Sequence, residues 1–407
     1  MDNINASYVY NCTASILNRD VDLLLELNYT DFSAVFQEAL EKSRENSTQS
    51  AAFSKCLGGI QEPPFKIIWW EKIIWSLIFA IILIIAVGGN LIVIWIVLAH
   101  RRMRTMTNYF LVNLSVADLL MSLFNCVFNV IFLLNSSWPF GSTYCTINNF
   151  IAHMTVGSSA FSLVIIALDR YIAIMHPLRK HLSRKRTISA LILIWSLSAC
   201  LAIPNLLYST TKHKSYLNGE TRITCYLTWP DGEYLDSKIG HYYDIVFFFM
   251  TYIFPIMAMA VCYTIVGRKL WDKKFIGELT TNQNEAVKAK RKVVKMFLYV
   301  LTIFAVCWFP YQGSFIFVYY YRKYLKAENI QHIYLTFYWL AMSNCMVNPI
   351  LYYWMNNRFR AYFKVIICKC WFVFDRSNGT NEEMREFIEL HRYDQERCHY
   401  IYRFTDV

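Results

Sequence analysis

Between residues 73 and 356 the chain alternates long runs of Ile, Leu, Val, Phe and Trp with short stretches that hold nearly all the local charge. A membrane-spanning helix needs about 20 mainly apolar residues. Seven runs reach that length: 73–98, 107–134, 145–174, 187–208, 241–267, 293–320 and 332–356. They are too long for strands and too frequent for ordinary core helices. The pattern therefore predicts an all-α membrane protein, a seven-transmembrane helix bundle. A short amphipathic helix is expected after span seven, in "NNRFRAYFKVIICKCW". Pro310 and Pro349 sit in otherwise helical runs, which predicts kinks rather than ends.

Charge adds an orientation. Arg101, Arg102 and Arg104 follow span one, Arg184, Lys185 and Arg186 follow span three, Arg268, Lys269, Arg291 and Lys292 lie between five and six, and Arg358, Arg360 and Lys364 follow seven. The alternate loops are poorer in bases. By the positive-inside rule the N-terminus of this multi-pass chain is outside and the C-terminus cytoplasmic. Four parts follow: an extracellular glycosylated tail (1–70), the bundle (71–356), a membrane-surface helix (357–370) and a cytoplasmic tail (371–407). The sequons at Asn5, Asn11, Asn28 and Asn46 cluster in the outer tail. Polar and mildly acidic, that tail is expected to be largely disordered, with a short helix over "DLLLEL". A net charge of +11 would suggest a nucleic-acid partner for a soluble protein. Here the bases sit between apolar runs, so topology and anionic membrane lipids account for them, and no nucleic acid is expected.

Twelve cysteines divide by compartment. Cys145 and Cys225 share the oxidising side, and a disulfide between them would tether the outer loop of about 209–240. Cys12 and Cys56 are a second candidate pair. The cysteines within spans read as small apolar packing residues. Cys368 and Cys370 follow the amphipathic stretch and read as palmitoylation sites.

Polar residues inside the spans carry the chemistry. Asp118 cannot face lipid cheaply and must point inward. With Asn90, Ser159, Asn344 and Asn348 it forms either a packing network or a water-filled site for a small cation such as sodium, and the two readings are compatible. Arg170 either snorkels at the interface or is held by Asp169, a pair whose rupture would free the guanidinium for a new partner. Trp308 beside Pro310, and Asn348, Pro349 and Tyr352 in span seven, combine a kink with a bulky or polar group.

Several motifs occur in order: Gly89-Asn90, "LSVAD", Cys145 opening span three, Asp169-Arg170-Tyr171 closing it, Trp195, Pro255, "CWFP" and "NPILY". In this combination the chain resembles a rhodopsin-like (class A) G-protein-coupled receptor over about residues 70–370. The segments "SSWPFG", "CYLTWPDG", "YTIVGRKLW", "KAKRKVVKM", "CWFPYQ" and "FYWLAMSNCMVNPILYY" resemble tachykinin (neurokinin) receptors, especially the insect tachykinin-like and natalisin receptors. That resemblance implies a receptor and not an enzyme. Its agonist would be an amidated neuropeptide, tachykinin-related or natalisin-type, ending in arginine-amide. Its partners would be a heterotrimeric G protein of the Gq class, acting through phospholipase C and calcium, with arrestin and a receptor kinase. No cofactor is implied beyond an allosteric sodium ion at Asp118, Ser159, Asn344 and Asn348. The residues implied to switch activation are Asp169, Arg170, Tyr171, Trp308, Pro310, Asn348, Pro349 and Tyr352.

The resemblance places the ligand among spans two, three, five, six and seven. By position the candidate contacts are Asn125, Asn129, Asn149, His153, Asn205, Asp244, Tyr311, Gln312, Tyr334 and Tyr338. Amides and phenols suit a peptide amide end. Asp244 and Gln312 depart from vertebrate members, which have histidine at both places. An added acid suits a ligand ending in arginine, although Asp244 also reads as a helix-start carboxylate. Span seven has no lysine for a retinal Schiff base, and Ala152 stands where amine receptors have an aspartate. The rival readings are a receptor for another neuropeptide class and, further off, a transporter or channel, which would predict inverted repeats that the chain lacks.

Overall fold

The structure is a computed structural model that describes residues 6–44, 53, 67–176, 183–215, 221–234, 236–271, 281–321, 330–356 and 358–367. It divides into two compact units: Met1–Phe65 with Lys212–Thr224, and Lys66–Thr211 with Cys225–Val407.

In the larger unit, six helices are long and apolar enough to cross a membrane: Trp69–Ala99, Met106–Asn135, Gly141–Met175, Arg184–Tyr208, Lys238–Leu270 and Val294–Tyr320. These are spans one to six. The seventh, Ile330–Met355, is 26 residues long. It contains no Asp, Glu, Lys or Arg, but its tyrosines, asparagines and glutamine make it less apolar than the rest. The spans pack around one apolar core that runs from Phe79 and Val93 through Leu163 and Phe304 to Tyr352.

Local chemistry explains the helix ends. Thr105 and Ser183 accept from the N–H groups of Asn108 (3.3 Å) and Arg186 (3.4 Å), capping spans two and four. Ser237 accepts from Gly240 N–H at 2.8 Å at the start of span five. Asp231 reinforces that start by accepting from Ser237 Oγ (2.5 Å), Lys238 N–H (2.8 Å) and Ile239 N–H (3.0 Å). Those bonds hold its carboxyl below the usual range, that from Ser237 first. Glu71 accepts from Ile68 N–H at 3.0 Å to open span one. At the other ends, arginines that define the basic segments cover orphan carbonyls. Arg104 donates to Leu98 O, Arg291 to Leu270 O, and Arg360 to Tyr353 O and Trp354 O.

Spans four, six and seven run on through Pro204, Pro310 and Pro349, as helices that contain proline rather than stop at it. Two π-helical turns, Ser122–Cys126 and Phe249–Ile253, interrupt spans two and five. No proline or glycine falls within either turn, so composition does not announce them. Each re-aims the residues beyond it. After span seven a helix occupies 358–367, started by Asn356, whose Oδ1 accepts from Arg358 N–H at 3.1 Å. Phe359, Tyr362, Phe363 and Val365 are buried while Arg358 and Lys364 are exposed, an amphipathic division. Cys368 and Cys370 lie outside the described residues. Of the cysteines in spans, Cys126, Cys262, Cys307 and Cys345 are buried, as expected of packing residues. Cys200 differs: it is exposed, on the outward face of span four.

After span four come strands β1 (Ser209–Ser215), β2 (Thr221–Trp229) and β3 (Gly232–Glu233), ordered β1-β2-β3. β2 and β3 are antiparallel, with Thr228 opposite Glu233. Cys145 and Cys225 form a disulfide that fastens β2 to the start of span three.

The smaller unit departs from the expectation of disorder. Helices Ala6–Leu17, Val21–Leu25 and Tyr29–Arg44 enclose a core of Cys12, Leu17, Phe36, Ala39 and Phe53. Phe32, Phe36, Ala39 and Leu40 recur at helical spacing, a stripe that the polar average of the segment conceals. The middle helix falls on the expected "DLLLEL". Asn28 caps the third helix by accepting from Asp31 N–H at 3.0 Å. Arg19 and Glu38 pair at 3.0 Å. Cys12 is disulfide-bonded. Its expected partner Cys56 lies outside the described residues, as do Asn5 and Asn46, whereas Asn11 and Asn28 are exposed.

Candidate ligand-binding site

The spans enclose a cavity of about 250 Å³. All ten candidate contact residues line it: Asn125 and Asn129 from span two, Asn149 and His153 from three, Asn205 from four, Asp244 from five, Tyr311 and Gln312 from six, Tyr334 and Tyr338 from seven. They lie up to 213 residues apart in the chain, and the bundle brings them to one place. Ala152 lines the same cavity.

Hydrogen bonds tie the polar lining together. Tyr338 Oη donates to Asn125 Oδ1 at 3.0 Å, and Asn125 Nδ2 donates to Asn148 Oδ1 at 3.2 Å. Asn149 Nδ2 donates to Ser209 Oγ at 3.0 Å, and His153 Nδ1 lies 2.9 Å from Asn149 O. Asn205 Nδ2 donates to Tyr243 Oη at 2.5 Å. Gln312 Oε1 accepts from Thr251 at 3.4 Å. Four polar atoms of lining residues are buried without a hydrogen-bond partner: the donors Gln312 Nε2, Trp229 Nε1 and Trp308 Nε1, and the acceptor Asn205 Oδ1. Unpaired buried groups of this kind gain most from a ligand that pairs them.

Asp244 is seven residues into span five, well past the capped start, so it is not a helix-start carboxylate. It faces the cavity and accepts from Tyr234 Oη at 2.7 Å. Among the described residues it is the single carboxylate of the lining, and no Lys or Arg lines it. Tyr226, Trp229 and Tyr234, contributed by the tethered loop, also line the cavity, with Tyr243 and Phe315. Sequence reasoning missed these aromatics. The available signal was the aromatic density of "CYLTWPDGEY" directly after Cys225.

Deeper in the bundle Asp118 is 2 % exposed and accepts from Asn348 Nδ2 at 2.9 Å. Ser159 and Asn344 are buried as well. Asn90 Nδ2 bridges Ala86 O (2.8 Å) and Cys345 O (2.9 Å), while Asn90 Oδ1 and Ser115 Oγ are buried without partners. A buried carboxylate with no cationic partner among the described residues, near orphaned oxygens, is a donor set that fits a hard cation. At the other end of span three Arg170 pairs with Asp169 at 3.2 Å. Thr107, which sequence reasoning missed, donates to Asp169 Oδ2 at 2.6 Å and accepts from Arg170. Trp308 is buried against Phe304 and lines the cavity. Tyr352 is buried with its ring 5.7 Å from Phe359 of the following short helix. Tyr171 is half-buried, edge-on to His176.

The sequence matches the family described as 7 transmembrane receptor (rhodopsin family) over residues 89–352. It is 47 % identical over 377 residues to the Drosophila melanogaster tachykinin-like peptides receptor 86C, covering 90 % of this chain and 75 % of that one. It is 43 % identical over 329 residues to the Drosophila tachykinin-like peptides receptor 99D, and 44 % identical over 304 residues to the human neuromedin-K receptor. Those alignments cover 81 % and 75 % of this chain and 63 % of each relative. With seven helices, the tethered outer loop and the ordered span motifs already in view, the chain belongs to the rhodopsin-like (class A) seven-transmembrane receptors, in their tachykinin-receptor group, a family of receptors and not of enzymes.

Proposed function

We propose that this chain is a plasma-membrane G-protein-coupled receptor for an amidated tachykinin-like neuropeptide, tachykinin-related or natalisin-type, ending in arginine-amide. The observation that carries this reading is the cavity: amides and phenols around one carboxylate, with no Lys or Arg among the described lining. A peptide amide supplies both a donor and an acceptor for the unpaired Gln312 Nε2 and Asn205 Oδ1, and a terminal guanidinium supplies the missing positive charge. Residues 1–70 are the extracellular tail, with Asn5, Asn11, Asn28 and Asn46 as glycosylation sites. Residues 357–370 lie on the inner membrane surface with Cys368 and Cys370 palmitoylated, and 371–407 form the cytoplasmic tail. Agonist binding stabilises a state with its cytoplasmic face open to a Gq-class α subunit, raising calcium through phospholipase C, with arrestin and a receptor kinase ending the signal. Sodium at Asp118, Ser159, Asn344 and Asn348 favours the closed state.

The test is intracellular calcium in cells expressing the chain, challenged with arginine-amide and methionine-amide peptides. Arginine-amide peptides are expected to be the more potent. Asp244→Asn is expected to lower their potency by about 10- to 100-fold, the range of one charge-assisted hydrogen bond, and to spare methionine-amide peptides. Preference for methionine-amide would overturn the reading. A second prediction concerns Thr107, which braces Arg170 against Asp169. Thr107→Ala removes about 1 kcal/mol of hydrogen bonding from the closed state, so ligand-free inositol phosphate production should rise by up to about fivefold.

A further inference from the structure

The outer-loop tyrosine beside Asp244 sits in a position built around it. Strands β2 and β3 pair through Thr228 and Glu233. The chain then turns at once, with Asp236 N–H and Ser237 N–H both donating to Glu233 O at 2.8 and 2.9 Å. The three bonds accepted by Asp231 close the same loop onto the start of span five. Tyr234 projects from within this double clamp into the cavity, where its hydroxyl meets Asp244 Oδ2 at 2.7 Å. Burial, and after it the Asp244 carboxylate, push its phenol well above the usual value, so it keeps its proton and remains a donor.

A chain of aromatic rings leads away from the Tyr234 ring that reaches the carboxylate. Tyr234 meets Phe315 edge-on at 6.5 Å, Phe315 meets Tyr311 edge-on at 5.0 Å, and Tyr334 lies 5.9 Å from Tyr311. All four line the cavity. A fixed carboxylate beside aromatic faces is chemistry for a cation, and specifically for a planar, weakly hydrated one. A guanidinium can stack on a ring while it donates sideways to a carboxylate, whereas an ammonium keeps its water. A single bond from Tyr234 leaves lone pairs on both Asp244 oxygens for that donation.

We propose that Tyr234, whose own ring meets Phe315, is a positioning residue that holds the Asp244 carboxylate as a seat selecting a guanidinium over an ammonium on the ligand. This rests on the amidated-peptide reading and deepens it, by adding a loop residue that carries no charge itself and sets which cation is accepted.

The experiment uses four amidated peptides identical except for a last residue of arginine, lysine, citrulline or methionine, with calcium release and surface staining as readouts. On the wild-type receptor the arginine peptide is expected to exceed the lysine and citrulline peptides by about tenfold or more. Tyr234→Phe, which keeps the ring and removes the hydroxyl, is expected to cut arginine potency about tenfold and leave citrulline and methionine potencies within about twofold. Phe315→Leu is expected to bring arginine down toward lysine. A merely structural tyrosine would weaken all four peptides alike, and that result overturns the proposal, as does a lysine peptide equal to arginine on the wild type. A wild type that answers all four equally removes the seat and the arginine end, and leaves only the amidated-peptide reading standing. Silence to all four, with receptor at the surface, overturns both.

Discussion

Serine at Cys145 or at Cys225 is expected to abolish peptide-evoked signalling while the spans remain inserted. The disulfide joins residues 80 apart in sequence, and the chain-entropy estimate for such a loop is about 4–5 kcal/mol. That is an upper figure here, because spans three, four and five remain confined by the membrane when the loop is freed. The functional loss is larger than the loss of stability. Cys225, Tyr226, Leu227, Trp229 and Tyr234 all line the cavity, and Cys225 itself is the covalent tie between them and span three. Without that tie, binding must re-order the strand at a cost of about 1–2 kcal/mol for each residue fixed. Radioligand binding and calcium release report the loss, and surface staining separates it from failed export. Retention of wild-type potency in both serine variants would show that the strands hold their place unaided.

Leucine at Gly89 is expected to damage the bundle as severely from the opposite direction, by overfilling it. Any Cβ at Gly89 falls 2.7 Å from Pro349 Cβ and 2.9 Å from Pro349 Cγ. The proline ring cannot rotate aside, so spans one and seven must separate. Separation also strains the bond from Asn90 Nδ2 to Cys345 O, which spans the same contact at 2.9 Å. Overpacking of about 1–3 kcal/mol and a lost buried hydrogen bond of about 1 kcal/mol act together on one helix pair. The melting temperature of the detergent-solubilised receptor should fall, and little should reach the cell surface. Gly88→Ala is the control, because a Cβ there meets nothing within 4 Å and should change neither readout. Equal effects at the two glycines would sink this account of the contact.

The sequence by itself determined the number of spans, the bundle and the family. Hydrocarbon demands an unbroken apolar run from every spanning helix, so the count is written in one dimension. Motifs such as "NPILY" and "CWFPYQ" are short and contiguous, so they too are legible without coordinates. The resemblance those motifs carry was enough to name ten residues that line the cavity, since it places the ligand among spans two, three, five, six and seven. What the sequence left open was pairing between elements. Asp244 read equally as a helix-start carboxylate until span five was seen to begin six residues earlier, at Lys238, with Ser237 and Asp231 doing the capping. Thr107 lies 62 residues from Asp169, and no local pattern marks it as the partner. Tyr234 depends on a turn, a strand pair and a disulfide acting at once. The π turns of spans two and five have no compositional signature, and the core of the N-terminal unit was hidden by a polar average. Tertiary structure decided these because each is a contact between segments whose chemistry is ordinary in isolation, and only packing makes them neighbours.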